Sequence, residues 1–166
     1  MSGAFPRAFA CCRTLAVAVL FAGSFAARAG WSVAETGAGK AGCILETEEI
    51  SLFDGYADTR LRLRVAEGAV RVMTESNIDA GFDDLGLAVD GGEFIPADAV
   101  VDEQDVLFKT GNGTLIDRFI RGHAVTVYLR FWPTYPATQR YAVRISLVGF
   151  TRAYNEYQAC LSKQQT

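Results

Sequence analysis

The run Thr59-Arg60-Leu61-Arg62-Leu63-Arg64-Val65 alternates strictly between side chains that shun water and side chains that need it. An extended strand sorts it cleanly, with Leu61, Leu63 and Val65 on one face and Arg60, Arg62 and Arg64 on the other. A helix would scatter both sets around its circumference. Ala66-Glu67-Gly68-Ala69 then reads as a turn, and Val70-Arg71-Val72-Met73-Thr74 resumes the alternation. The two runs make a hairpin with one buried and one wet face, which commits the chain to a sheet with a single core side.

Later segments repeat this punctuation. Gly86-Leu87-Ala88-Val89 runs into Asp90-Gly91-Gly92, and Glu93-Phe94-Ile95-Pro96 continues from that turn. Val106-Leu107-Phe108-Lys109 ends at Thr110-Gly111-Asn112-Gly113, where Asn-Gly is a turn signal. Residues 124–131 and 140–148 are rich in the Val, Tyr, Ile and Phe that strands favour. Two stretches keep helical spacing instead. Leu115, Ile116, Phe119 and Ile120 predict a short helix over 114–120. Ala153, Tyr154, Tyr157 and Cys160 or Leu161 predict a terminal helix, with Gly149 breaking the last strand and Thr151 as its cap. The expected architecture is mainly β: a single antiparallel β-sandwich or flattened barrel with a C-terminal helix, spanning 30–166.

The N-terminus reads as an address. Arg7 and Arg13 precede the apolar run Leu15 to Ala27, which is short for a membrane span, and Ala27-Arg28-Ala29 offers small residues to a signal peptidase. Residues 1–29 are therefore expected to be a cleaved signal peptide, leaving no transmembrane helix in the exported chain. Cys11 and Cys12 leave with it, so Cys43 and Cys160 remain and are expected to pair in an oxidising compartment. The formal charge is -3 with the leader and -6 without it, because that segment carries Arg7, Arg13 and Arg28 and no acid. An acidic domain argues against general nucleic-acid binding.

Catalytic material is sparse. His123 is the sole histidine, no G-x-S-x-G elbow is present, and the two remaining thiols are spoken for. No catalytic residue, metal site or cofactor is assigned. Asp83, Asp84, Asp98 and Asp102 keep open a carboxylate-dependent hydrolase, which would need two of them facing one cleft. The candidate binding residues are Arg60, Arg62, Arg64 and Arg71, which either pair with acids such as Glu67 and Glu75 or await an anionic partner. A second candidate is the stiff segment Phe131-Trp132-Pro133-Thr134-Tyr135-Pro136. Its prolines hold Trp132 and Tyr135 either outward as a recognition tip or, the preferred reading, inward as a lid on the core.

The signal peptide, Gly30-Trp31-Ser32-Val33, the hairpin Leu61 to Val72, the two cysteines and Ser146-Leu147-Val148-Gly149-Phe150-Thr151 before a helix together resemble the invasion-associated locus B family of exported bacterial proteins. That family tends to carry further internal cysteines, which this chain lacks. The resemblance implies the periplasm or outer envelope of a Gram-negative cell and brings no catalytic residues with it. The expected role is an envelope binding or accessory module whose partner is an envelope or host protein or an anionic glycan. A purely structural envelope protein is the further alternative.

Overall fold

Two antiparallel sheets enclose one core in the computed structural model, which describes residues 30–36, 42–109, 114–133 and 139–164. The leader, Gly37-Ala38-Gly39-Lys40, Asn112-Gly113 and Tyr135 lie outside the described residues. The larger sheet runs β1 (Trp31–Thr36), β2 (Gly42–Thr47), β4 (Asp58–Ala66), β5 (Ala69–Thr74), β9 (Asp105–Lys109) and β8 (Ala99–Val101), with β3 (Ile50–Phe53) against the first half of β4. The smaller runs β11 (Tyr141–Ser146), β10 (Ala124–Leu129), β6 (Gly86–Val89) and β7 (Ile95–Pro96). Neither closes on itself, so the fold is a sandwich and not a barrel.

The hairpin forms as its pattern demands. Leu61, Leu63, Val70 and Val72 are wholly buried, and Arg64 stands directly opposite Arg71 on the outer face. Glu67 and Gly68 both take positive φ, 50° and 74°, which is the turn whose twist matches its flanking strands. The preceding hairpin is closed by a side chain: Asp54 accepts from the Tyr56 and Ala57 N–H groups at 2.8 and 2.7 Å. Its other oxygen takes the Ser76 hydroxyl at 2.6 Å, tying the β3–β4 tip to the end of β5.

Helices α1 (Thr114–Arg121) and α2 (Phe150–Lys163) supply the rest of the core. Trp31 is the joint. Its ring meets Phe150 edge-on at 4.8 Å, Phe150 meets Phe119 of α1 at 5.4 Å, and its indole N–H donates to the Ser146 carbonyl of the opposite sheet at 2.8 Å. Thr151 does not cap α2. Gly149 occupies the cap position with φ of 87°, a left-handed conformation that a side chain resists, and the Thr151 hydroxyl instead reaches the Ile120 carbonyl of α1 at 3.3 Å.

Cys43 of β2 and Cys160 of α2 form the disulfide, with Cα atoms 6.1 Å apart across a separation of 117 residues. It pins the last helix against β1 and β2, where Tyr157 and Ala153 are also buried. A loop this long is worth about 4–5 kcal/mol in the chain-entropy picture. Replacing both cysteines with serine should therefore lower unfolding stability by about 2–5 kcal/mol in a denaturant titration. Mass spectrometry of the non-reduced protein should show it two hydrogens lighter than the reduced chain, whereas two free thiols would remove the staple.

Candidate binding surface

The outward positions of β4 sit between strands that carry acids, and the arginines are paired. Arg60 donates its Nε to Glu75 Oε2 at 2.9 Å, a second nitrogen to Glu75 Oε1, and Nη1 to Glu49 Oε2 at 3.2 Å. Arg62 bridges Glu46 at 3.2 Å and Glu49, and Arg64 holds Glu46 through two nitrogens at 3.1 and 2.9 Å. Arg71 lies 3.8 Å from Asp105 on β9. Glu67, proposed from sequence as a partner, takes no part in this ladder; its place is the hairpin turn. Glu46 on β2 and Glu49 beyond its end take that role, and both are remote in sequence from the arginines they neutralise.

These contacts set the acidities. The hydrogen bond from Arg60 holds the Glu75 carboxyl below its usual range, against the opposing effect of desolvation. Burial pushes Asp105 up, with Arg71 pulling the other way. Solvent screens exposed pairs of this kind, so the ladder chiefly cancels the repulsion of four clustered cations.

The aromatic end differs. Phe131 is buried and bridges to Ile78, whereas Trp132 is 63% exposed, so Trp132 is no lid: Phe131 closes the core there. The Trp132 N–H donates to the Asn77 carbonyl at 2.8 Å. Asn77 follows Ser76, whose hydroxyl holds the β3–β4 tip, so exposed Phe53, Tyr56, Phe82 and Trp132 flank segments tied together at one end of the sandwich.

A surface that the sequence reading missed lies on the outer side of the smaller sheet. Tyr128 stands opposite Gly86 on one side and Ala142 on the other, and Thr126 between Ala88 and Arg144. The Phe94 ring lies so close over Gly86 that a Cβ there would meet it at 2.4 Å. Phe94 also packs on Tyr128 at 5.9 Å, and the Arg140 guanidinium lies 4.5 Å above the Tyr128 ring. Arg130 stacks on Phe82 at 4.3 Å and grips Asp84 through two nitrogens at 2.8 and 2.7 Å, which holds the Asp84 carboxyl low. Strand alternation around Tyr128 was the available signal.

The remaining candidates stand apart. Asp84 is engaged by Arg130, Asp98 accepts the Lys109 N–H at 2.7 Å, Asp102 sits in the β8–β9 turn with φ of 50°, and Asp83 is exposed. The Asp90 carboxylate accepts the His123 and Ala124 N–H groups at 3.0 and 2.9 Å, which lowers its pKa, and the His123 ring beside it is exposed.

Asp90, Glu75 and Asp84 are depressed; so is Asp54, where burial alone would raise it but hydrogen bonds from Ser76, Ala57 and Tyr56 prevail. A carboxyl whose folded pKa is depressed stabilises the fold above its unfolded pKa, and that contribution fades as pH falls through the folded value. Asp105 runs the opposite way, alone against four. The urea midpoint should hold near neutrality, start to fall around the ordinary values of 4.5 for Glu and 3.8 for Asp, and keep falling below them. Asp84→Asn should flatten part of this decline; a midpoint that rises on acidification would contradict the assignment.

No protein-family profile matches the chain, and no curated protein does. Among solved structures, invasion associated protein B from Bartonella henselae is similar, with a TM-score of 0.57 at 18% identity over 82% of this chain and 95% of that one. At that identity the likeness shows a shared fold. Among the described residues no helix is long and apolar enough to cross a membrane.

Proposed function

We propose that the chain is an exported envelope protein that works as a binding or accessory module, through surface contact and not bond chemistry. Its partner is an envelope or host protein, or an anionic glycan. Export is supported by the leader composition of residues 1–29 and by a disulfide that suits an oxidising compartment. The fold shared with an invasion-associated protein is compatible with that setting.

One contrast carries the reading. The arginines of β4 and β5 are matched by acids on neighbouring strands and turns, while Trp132 at the other candidate surface stands exposed. A cation already paired offers an incoming anion little net gain, since the existing pair must be broken first. An exposed tryptophan held by a backbone hydrogen bond takes apolar area out of water and loses little entropy on contact. We therefore place the contact surface at the Trp132 end and give the Arg60, Arg62, Arg64 and Arg71 face a structural role.

Affinity capture from native envelope extract tests this with three oxidised proteins spanning 30–166. Wild type and an Arg60/Arg62/Arg71→Ala variant, if folded, should retain the same partner, and Trp132→Ala should lose it. Loss in the arginine variant with retention in Trp132→Ala would reverse the assignment. Capture of nothing by any of the three would count against the module reading.

A further inference from the structure

Strand β11 ends the order of the smaller sheet, so among the described residues one of its two backbone rims has no strand beside it. The register says which groups that rim presents. The Leu147 N–H donates to the His123 carbonyl at 2.9 Å, and the Asp90 N–H donates to the Ala124 carbonyl at 2.9 Å. Ala124 thus turns its polar groups toward β6, and its partner Ser146 turns its own away from β10. Alternation gives Arg144 and Ala142 the same outward orientation, while Ile145, Val143 and Tyr141 bond to β10.

The rim is closed at one end and open at the other. Trp31 covers the Ser146 carbonyl with its indole N–H at 2.8 Å. Among the described residues no group hydrogen-bonds to the outward N–H and C=O of Ala142 and Arg144. Buried strands satisfy such groups with a neighbour, and an open rim of this kind is a template for one more strand.

The side chains beside the rim select the strand. Arg140, Ala142 and Arg144 are all exposed on the outer face. No carboxylate among the described residues makes an ion pair with Arg140 or Arg144, in contrast to every arginine of β4. Asp84, whose carboxylate feels Arg140, is already gripped by Arg130. Two cations without an ion-pair partner among the described residues, four residues apart and about 13 Å along a strand, make a positive edge on a chain of formal charge -3.

We infer that the open rim of β11 accepts an extended acidic segment of a partner protein as an added strand. The Ala142 and Arg144 backbone supplies the ladder, and Arg140 and Arg144 supply the charge selection. The inference rests on the binding-module reading and names its partner class. An acidic polysaccharide matches the arginines but leaves the strand-spaced backbone donors and acceptors unused. The same two cations repel a basic strand, and so guard the edge against indiscriminate pairing.

Ala142→Pro provides a selective test. It removes an N–H that faces away from β10, so the native ladder survives, and proline is tolerated on an outward edge. The probe is a synthetic peptide alternating Glu with Val, with alginate as the acidic polysaccharide. Wild type should bind the peptide, and amide exchange at Ala142 and Arg144 should slow on its addition. Ala142→Pro should abolish binding without moving the thermal midpoint far. Arg140→Glu/Arg144→Glu, which leaves the backbone intact, should weaken it severalfold or more and reduce its salt dependence. Peptide binding unaffected by Ala142→Pro, no protection of those two amides, or alginate competing for the same amides with equal potency would each overturn strand addition. If Ala142→Pro still captures the envelope partner while Trp132→Ala does not, the module reading stands and this inference alone falls.

Discussion

A central strand with a cation at three successive outward positions cannot sit in a sheet unless its neighbours answer those charges. Arg60, Arg62 and Arg64 stand in one file on β4, and Arg64 also faces Arg71 across the hairpin. Glu46 and Glu49 answer from one side, Glu75 and Asp105 from the other. The inner side of the same strands buries Leu61, Leu63, Val65, Val70 and Val72, with Thr59 and Thr74 at one end, so a register slip of one residue would bury arginines and expose Leu61 and Leu63. Charge on one face and burial on the other select the same register.

The second layer is fastened to that sheet at two points. Trp31 passes from β1 through Phe150 to α1 and bonds the edge of β11, and the disulfide holds α2 beside it. Both fastenings lie toward the β1 side. Elsewhere the buried Ile78–Phe131 bridge and the polar contacts of Asp54, Ser76 and Asn77 hold the layers, and Phe53, Tyr56 and Trp132 beside them remain exposed.

Local pattern revealed the parts whose causes are local. The β4–β5 hairpin, α1, α2 and the cysteine pair were legible because alternation, helical spacing and cysteine count are written within short stretches. Strands β1 to β3 were not: Trp31-Ser32-Val33-Ala34 reads as a mature terminus until Leu45 and Glu46 are seen to pair with it. The partners of the arginines were half legible, since Glu75 follows the hairpin directly whereas Glu46 and Glu49 arrive through another strand. Thr151 failed as a cap because Gly149 already takes the left-handed position. Nothing in the sequence near Arg140 and Arg144 says that β11 is an edge; strand order is a property of the whole fold.

The account turns on where an anion is received. Titrating isotopically labelled protein with polyglutamate and following backbone amide shifts would locate that point residue by residue. The prediction is a cluster of shifts at Arg140, Ala142 and Arg144, with Arg60, Arg62 and Arg64 unmoved in their ladder. Shifts centred on Arg60, Arg62 and Arg64 would show that the glutamates do not satisfy those arginines and would contradict the account at its base.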